Sequence, residues 1–223
     1  METEGVKLIA IAEAAMVDFA RMRLRPSPSK PHPLVSKLHG PVVSKLPFKT
    51  PWRVIMAGDR AGDLLENNDL FLNLNEPNKI ADTSWIMPGK VIRDVTLSTD
   101  GGLACVDFYV KYGMQFIEFD ASWYGDQNKE ESDASTVARN NLDLPRVIKY
   151  AKEKGIGVIL YVNRRHLEAD LDNLLPIYQK WGIAGLKFGF VQHGDQKWTT
   201  GGTRRSSSAP SIRSWSMFMT NTA

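Results

Sequence analysis

A chain of 223 residues, 43% hydrophobic and 24% charged, has an ordinary globular composition with room for one large domain or parts of two. Its net charge of +3 is mild, and part of it comes from Arg204, Arg205 and Arg213, so nucleic acid is not an expected partner. No run of eighteen apolar residues is present, which argues against a membrane-spanning helix, and a single cysteine, Cys105, excludes an internal disulfide.

Met1–Ala20 carries Glu2, Glu4 and Glu13 without a basic leader, so it does not read as a signal peptide, and the compartment stays open. Val6–Ala15 mixes β-branched and small residues and reads as a strand from an earlier domain. Arg25–Pro33 has proline at nearly every second position. Proline fixes φ and lacks the N–H, so this stretch is expected to be an extended connector and not an element. His32 and His39 nearby read as solvated loop residues. A second segment begins at Pro47, with Trp52–Ala57 as its first strand.

From Thr99 a strand–helix pattern repeats. Asp100 is placed to cap a helix with Leu103, Val106 and Val110 on one face and Gly113 as its stop. Gln115–Asp120 reads as a strand. Asn141 or Asp143 caps the next helix, with Pro145 in its first turn and Gly155 at its end. Ile156–Asn163 is the next strand. Leu167–Trp181 has helical spacing, and Pro176 is expected to kink it or to start a second helix. Ile183–Trp198 then begins as a strand and ends as a polar loop. Alternation puts Leu186, Phe188 and Phe190 on one face and Lys187, Gly189 and Val191 on the other.

Strands alternating with helices of this length mean a parallel α/β sheet. No Gly-rich dinucleotide fingerprint follows any strand, so a (β/α)8 TIM barrel is the better expectation. Its active site would sit at the strand ends, which here offer Asp120 with Trp123 and Tyr124, Asn163 with Arg164 and Arg165, and Lys187 to Gln192. Aromatic faces, amides and charges together suit sugar binding. Each residue also has a plainer reading. Asp120 could cap its loop, Trp123 and Tyr124 could pack beneath it, Asn163 could be a turn residue, and Arg164, Arg165 and His166 could be solvated. Lys187 requires a partner or a ligand, because an unpaired buried charge is costly.

Several motifs resemble glycoside hydrolase family 97. They are T-P-W-R-V-I-M-A-G-D at Thr50–Asp59, N-L-N-E-P at Asn73–Pro77, F-I-E-F-D-A-S-W-Y-G at Phe116–Gly125, S-D-A at Ser132–Ala134 and W-G-I-A-G-L-K-F-G-F-V at Trp181–Val191. The resemblance runs from about Gly5 to Trp198. It implies the end of an N-terminal β-sandwich and linker (1–45), then the N-terminal half of a catalytic barrel (46–198). It implies hydrolysis of α-glucosides or α-galactosides, with calcium near the site. Asp120, Trp123, Asn163, Arg164 and Lys187 are the expected substrate contacts, and an α-glucoside oligosaccharide is the expected substrate. Retaining members carry a nucleophilic aspartate at the position of Gly189, and inverting, α-glucosidase-like members have glycine. Inversion separates its carboxyls by roughly 6.5–9.5 Å to admit a water, against about 5–5.5 Å for retention. Glycine is therefore expected to leave room for that water.

Beyond Trp198 the motifs stop. Trp215–Ala223 can be back-translated so that a neighbouring frame reads M-V-D-V-H-D-E-Y-R, similar to the next barrel strand of the family. Residues 199–223 are thus expected to follow a frameshift near Thr199–Gly202. The family's acid, base and most calcium ligands would then fall outside this chain, leaving an inactive fragment. A retaining α-galactosidase relative and a non-catalytic sugar-binding remnant are the alternatives; the oligomeric state is open.

Overall fold

The computed structural model describes residues 8–31 and 33–200, together with the backbone of a strand at 216–219. His32, Arg204, Arg205, Arg213 and the segment in which a shift of frame is expected lie outside the described residues, Thr199, Thr200 and the 216–219 backbone excepted. Two compact units result. One holds residues 8–81 and 193–200; the other holds 82–192 and 216–219.

The first unit is built from antiparallel strand pairs. β1 (Leu8–Ala14) is followed by the hairpin of β2 (Met22–Pro26) and β3 (Leu34–Leu38), and then by β4 (Trp52–Gly58). β4 returns to β1, in register from Leu8 opposite Gly58 to Ala14 opposite Trp52. The expected boundary at 45/46 therefore falls inside this unit, between β3 and β4. The proline-rich stretch is also less irregular than its composition suggests. Arg25 and Pro26 belong to β2, where a proline at the last position costs little ladder hydrogen bonding. Two short helices follow, α1 (Ala61–Glu66) and α2 (Asp69–Asn73). Residues 196–200 are helical, and the Gln196 amide pairs with both the N–H (2.8 Å) and the carbonyl (2.9 Å) of Val43.

The second unit is the strand–helix repeat. Its elements are β5 (Val91–Asp94), α3 (Thr99–Tyr112), β6 (Phe116–Phe119), α4 (Leu144–Glu153), β7 (Gly157–Asn163), α5 (Arg164–Trp181), β8 (Gly185–Gly189) and β9 (Ser216–Met219). The strands are parallel in the order β5-β6-β7-β8-β9. This is the α/β pattern of the first half of a (β/α)8 barrel. One sheet face presents Ile117, Phe119, Leu160, Val162, Leu186 and Phe188 to Val106, Tyr109, Val147, Leu167 and Tyr178 of the helices, all buried. Each such side chain contributes about 1.5–3 kcal/mol through removal from water.

Helix boundaries follow local chemistry. Ser98, not Asp100, caps α3 by accepting from the Gly101 N–H at 3.2 Å. Gly113 closes that helix at φ 66, a conformation that a side chain would oppose. Asp143 caps α4 and accepts from the Arg146 N–H. In α5 the break is at Asp170 (φ −145), not at Pro176. The carbonyl that the Pro176 ring would meet belongs to Asp172, in the first turn after the break, where the backbone can still adjust. The alternation expected through Val191 also fails. Phe190 takes φ 52 and ends β8, which leaves Phe190 exposed and turns Val191 into the core.

Candidate functional site

Register partners in parallel strands point the same way. Arg93 lies beside Glu118, Tyr161 beside Lys187, and Asn163 beside Gly189. These residues and Asp120 therefore share the sheet face opposite the helices, toward the carboxyl ends of the strands. Lys187 Nζ stands 2.7 Å from Glu118 Oε1 and 4.0 Å from Asp120 Oδ1, and Arg93 Nη1 stands 2.8 Å from Asp120 Oδ2. Two cations and two carboxylates, from β5, β6 and the residue after it, and β8, thus alternate on this face. Glu118 is the partner that a lysine in this strand requires, and the pairing offsets the cost of burying both charges.

Tyr161 completes the face. Its hydroxyl donates to Gln127 Oε1 at 2.5 Å, and Lys187 Nζ sits 5.5 Å from its ring centroid. Burial, reinforced by neighbouring negative groups, pushes its hydroxyl well above the usual phenol range. Tyr124 is pushed up to about 12, mainly by burial, against the opposing bond that it accepts from the Asn163 N–H. Both phenols therefore stay protonated at neutral pH.

The expected contacts separate into distinct roles. Asp120 and Lys187 belong to the ionic array. Trp123 does not face a ligand: it is fully buried, its indole N–H donates to the Tyr161 carbonyl at 2.7 Å, and its ring packs against Tyr178 and Trp181. Its buried surface leaves no aromatic face for a sugar. Asn163 is also buried and caps α5, accepting from the Arg165 N–H at 3.1 Å. Arg164 donates to Glu168 at 3.1 Å, one turn along the same helix. The room expected beside Gly189 is taken, since a Cβ added there would lie 2.0 Å from Cζ and Oη of Tyr161. Reading the sequence missed Arg93, Glu118, Tyr161 and Gln127. Two of these had a signal: Glu118 is two residues before Asp120, and Tyr161 two before Asn163, each on the same strand face.

The profile described as Glycoside hydrolase 97 matches residues 92–211, more than half of the chain. The chain belongs to glycoside hydrolase family 97. A second profile, the Glycosyl-hydrolase 97 N-terminal region, matches residues 1–77, all within the stretch that forms the first unit. The family-97 match also continues to residue 211, beyond Trp198, where the recognisable motifs end.

A "Retaining alpha-galactosidase" of Bacteroides thetaiotaomicron is 28% identical over 74% of this chain and 27% of its own length. A "Probable retaining alpha-galactosidase" of Streptomyces bingchenggensis is 28% identical over 70% of this chain and 25% of its own. The family-97 chain thus spans about a quarter of these curated relatives. The solved structure of a family-97 enzyme variant from a Pseudoalteromonas species is 25% identical, with a TM-score of 0.81, covering 95% of this chain and 38% of that one.

Calcium, implied by the family resemblance, finds no ready site among the described residues. Among the described residues no group of three or more His, Cys, Asp or Glu could hold a metal ion. Glu118 and Asp120 are already engaged by Lys187 and Arg93. The described residues do not fit the ion.

Proposed function

We propose that this chain is part of a family-97 glycoside hydrolase of the inverting, α-glucosidase-like branch, cleaving α-glucosidic bonds by water attack without a covalent intermediate. The observation that carries the reading is the side-chain-free residue at the end of β8. Gly189 supplies no carboxylate at the position where retaining members of the family carry their nucleophile. Lys187 and Asp120 stand on the same face and supply the charge-assisted donors and acceptors that sugar hydroxyls take. Calcium belongs to the reading through family resemblance alone.

The carboxylates on this face are each bound to a cation, so neither serves as a free acid or base. For the 223-residue chain we therefore expect no turnover of a nitrophenyl α-glucoside, and clear hydrolysis by the purified chain would overturn that. In a longer polypeptide that carries the acid and base, inversion is read from the anomer first released. Release of the α-anomer from an α-glucoside would refute the assignment.

A second reading, a retaining α-galactosidase relative, is favoured by the names of the two curated relatives. Preference for a nitrophenyl α-galactoside, with a burst of covalent intermediate, would select it. The third is a non-catalytic sugar binder, supported by the self-neutralised array. Saturable heat on titrating the chain with maltose, without turnover, would identify it. A change of reading frame toward the C-terminal end is a separate proposal. The bases encoding Trp215–Ala223 decide it, since they must spell the family motif in another frame.

A further inference from the structure

Gly189 and Tyr161 occupy each other's space. A side chain begun on Gly189 would meet Cζ, Oη and Cε2 of Tyr161 at 2.0–2.2 Å, well inside van der Waals contact. The obstacle is not a loose side-chain end. The Tyr161 hydroxyl is bonded to Gln127, its ring meets Phe190 edge-on at 6.5 Å, and Lys187 Nζ stands by it. Only 4% of Tyr161 is exposed, so the ring has no open solvent into which to swing. The backbone on the other side is also constrained, because Phe190 directly follows with φ 52.

We infer that Tyr161 is a specificity-determining residue, whose ring fills the place that a nucleophilic carboxylate on residue 189 would need. The inference rests on the proposed reading of position 189 as the nucleophile position of retaining relatives. It goes further than the absence of a carboxylate. The covalent route is closed twice, once by the missing group and once by an occupied volume. Aspartate at 189 is then compatible with the fold only where residue 161 is small, so the two positions act as a linked pair. Asn163 and the loop around Gln127 belong to this lock because Gln127 Oε1 accepts from both Tyr161 Oη and Asn163 Nδ2, the latter at 3.4 Å.

A melting experiment on the full chain tests this. Gly189→Ala and Gly189→Asp are each made in four backgrounds: the native tyrosine, Tyr161→Phe, Tyr161→Ala and Tyr161→Val. With a ring at 161, either substitution should lower Tm by roughly 5 °C or more, or yield an unfolded chain. With alanine or valine at 161, Gly189→Ala should shift Tm by no more than about 2 °C, because coupling is confined to residues in contact. The phenylalanine background should behave like tyrosine, which assigns the exclusion to the ring rather than to the hydroxyl. Equal penalties in all backgrounds, or failure to fold in the small-residue backgrounds as in the native one, would overturn the inference. Melting requires no sugar, so this result is independent of catalysis. Maltose titration of the unaltered chain examines the functional reading separately.

Discussion

At the scale of single residues, the face at the carboxyl ends of the strands is governed by charge pairing. Lys187→Met leaves Glu118, whose side chain is 9% exposed, without its cation. We expect a loss of about 2–3 kcal/mol, toward the low end for breaking a buried pair because some exposure remains. Replacing both partners, Lys187→Met with Glu118→Leu, should recover most of it. Chemical denaturation of the single and double variants measures this, and a double variant no better than the single one would refute the pairing. The buried tyrosines predict a second effect. Tyr124 has its pKa raised from 10.0 to about 12, and Tyr109, Tyr161 and Tyr178 are raised as well. A phenol held neutral by the fold contributes stability that is complete below its unfolded pKa. That contribution is lost as pH rises through the folded value. Stability should therefore fall from about pH 10 upward, with most of the Tyr124 contribution gone near pH 12, and less steeply in Tyr124→Phe. Denaturant midpoints followed with tyrosinate absorbance would show it; a flat profile across that window would contradict the burial of these rings.

At the scale of elements, capping decides where helices begin. Ser98→Ala and Asp143→Ala each remove an acceptor for an otherwise unpaired backbone N–H. Each should cost about 1 kcal/mol, which thermal melting would resolve, whereas Asp100→Ala should cost less because Asp100 is not the cap. Helix and strand positions from Thr99 onward were legible because their apolar periodicity is strong and their stops are glycines. The errors came where a short-range signal had competitors. Ser98 and Asp100 both suit an N-cap, and the extended backbone at Ser98 (φ −132) together with the bond it accepts from the Gly101 N–H distinguishes them. β5 was not anticipated because four residues with three exposed side chains carry little periodicity. The β2–β3 hairpin was hidden by its prolines, since strand propensity depends on the facing strand, which lies across a proline-rich loop.

At the scale of the whole molecule, the parallel sheet of the second unit has β5 at one edge, and its first three residues are exposed. Unpaired strand edges template association. In the first unit Val43, Leu46, Ile55, Leu65 and Leu72 are also at least 70% exposed. Apolar groups in that number favour contact with other chains. The purified chain is accordingly expected to self-associate as its concentration rises. Light scattering across a dilution series would detect it, and a monodisperse monomer at high concentration would count against it.

Local pattern was enough to identify the family, the order of strands and helices from Thr99, and glycine at position 189, because motif spacing and periodicity are properties of neighbours along the chain. The pairing of β4 with β1, the burial of Trp123, the Glu118–Lys187 contact and the closeness of Tyr161 to Gly189 were decided only by tertiary structure. Each of these joins residues at least 28 positions apart, through sheet register or side-chain packing. A side chain's identity states what it can bond to; only the folded backbone states which partner is within reach.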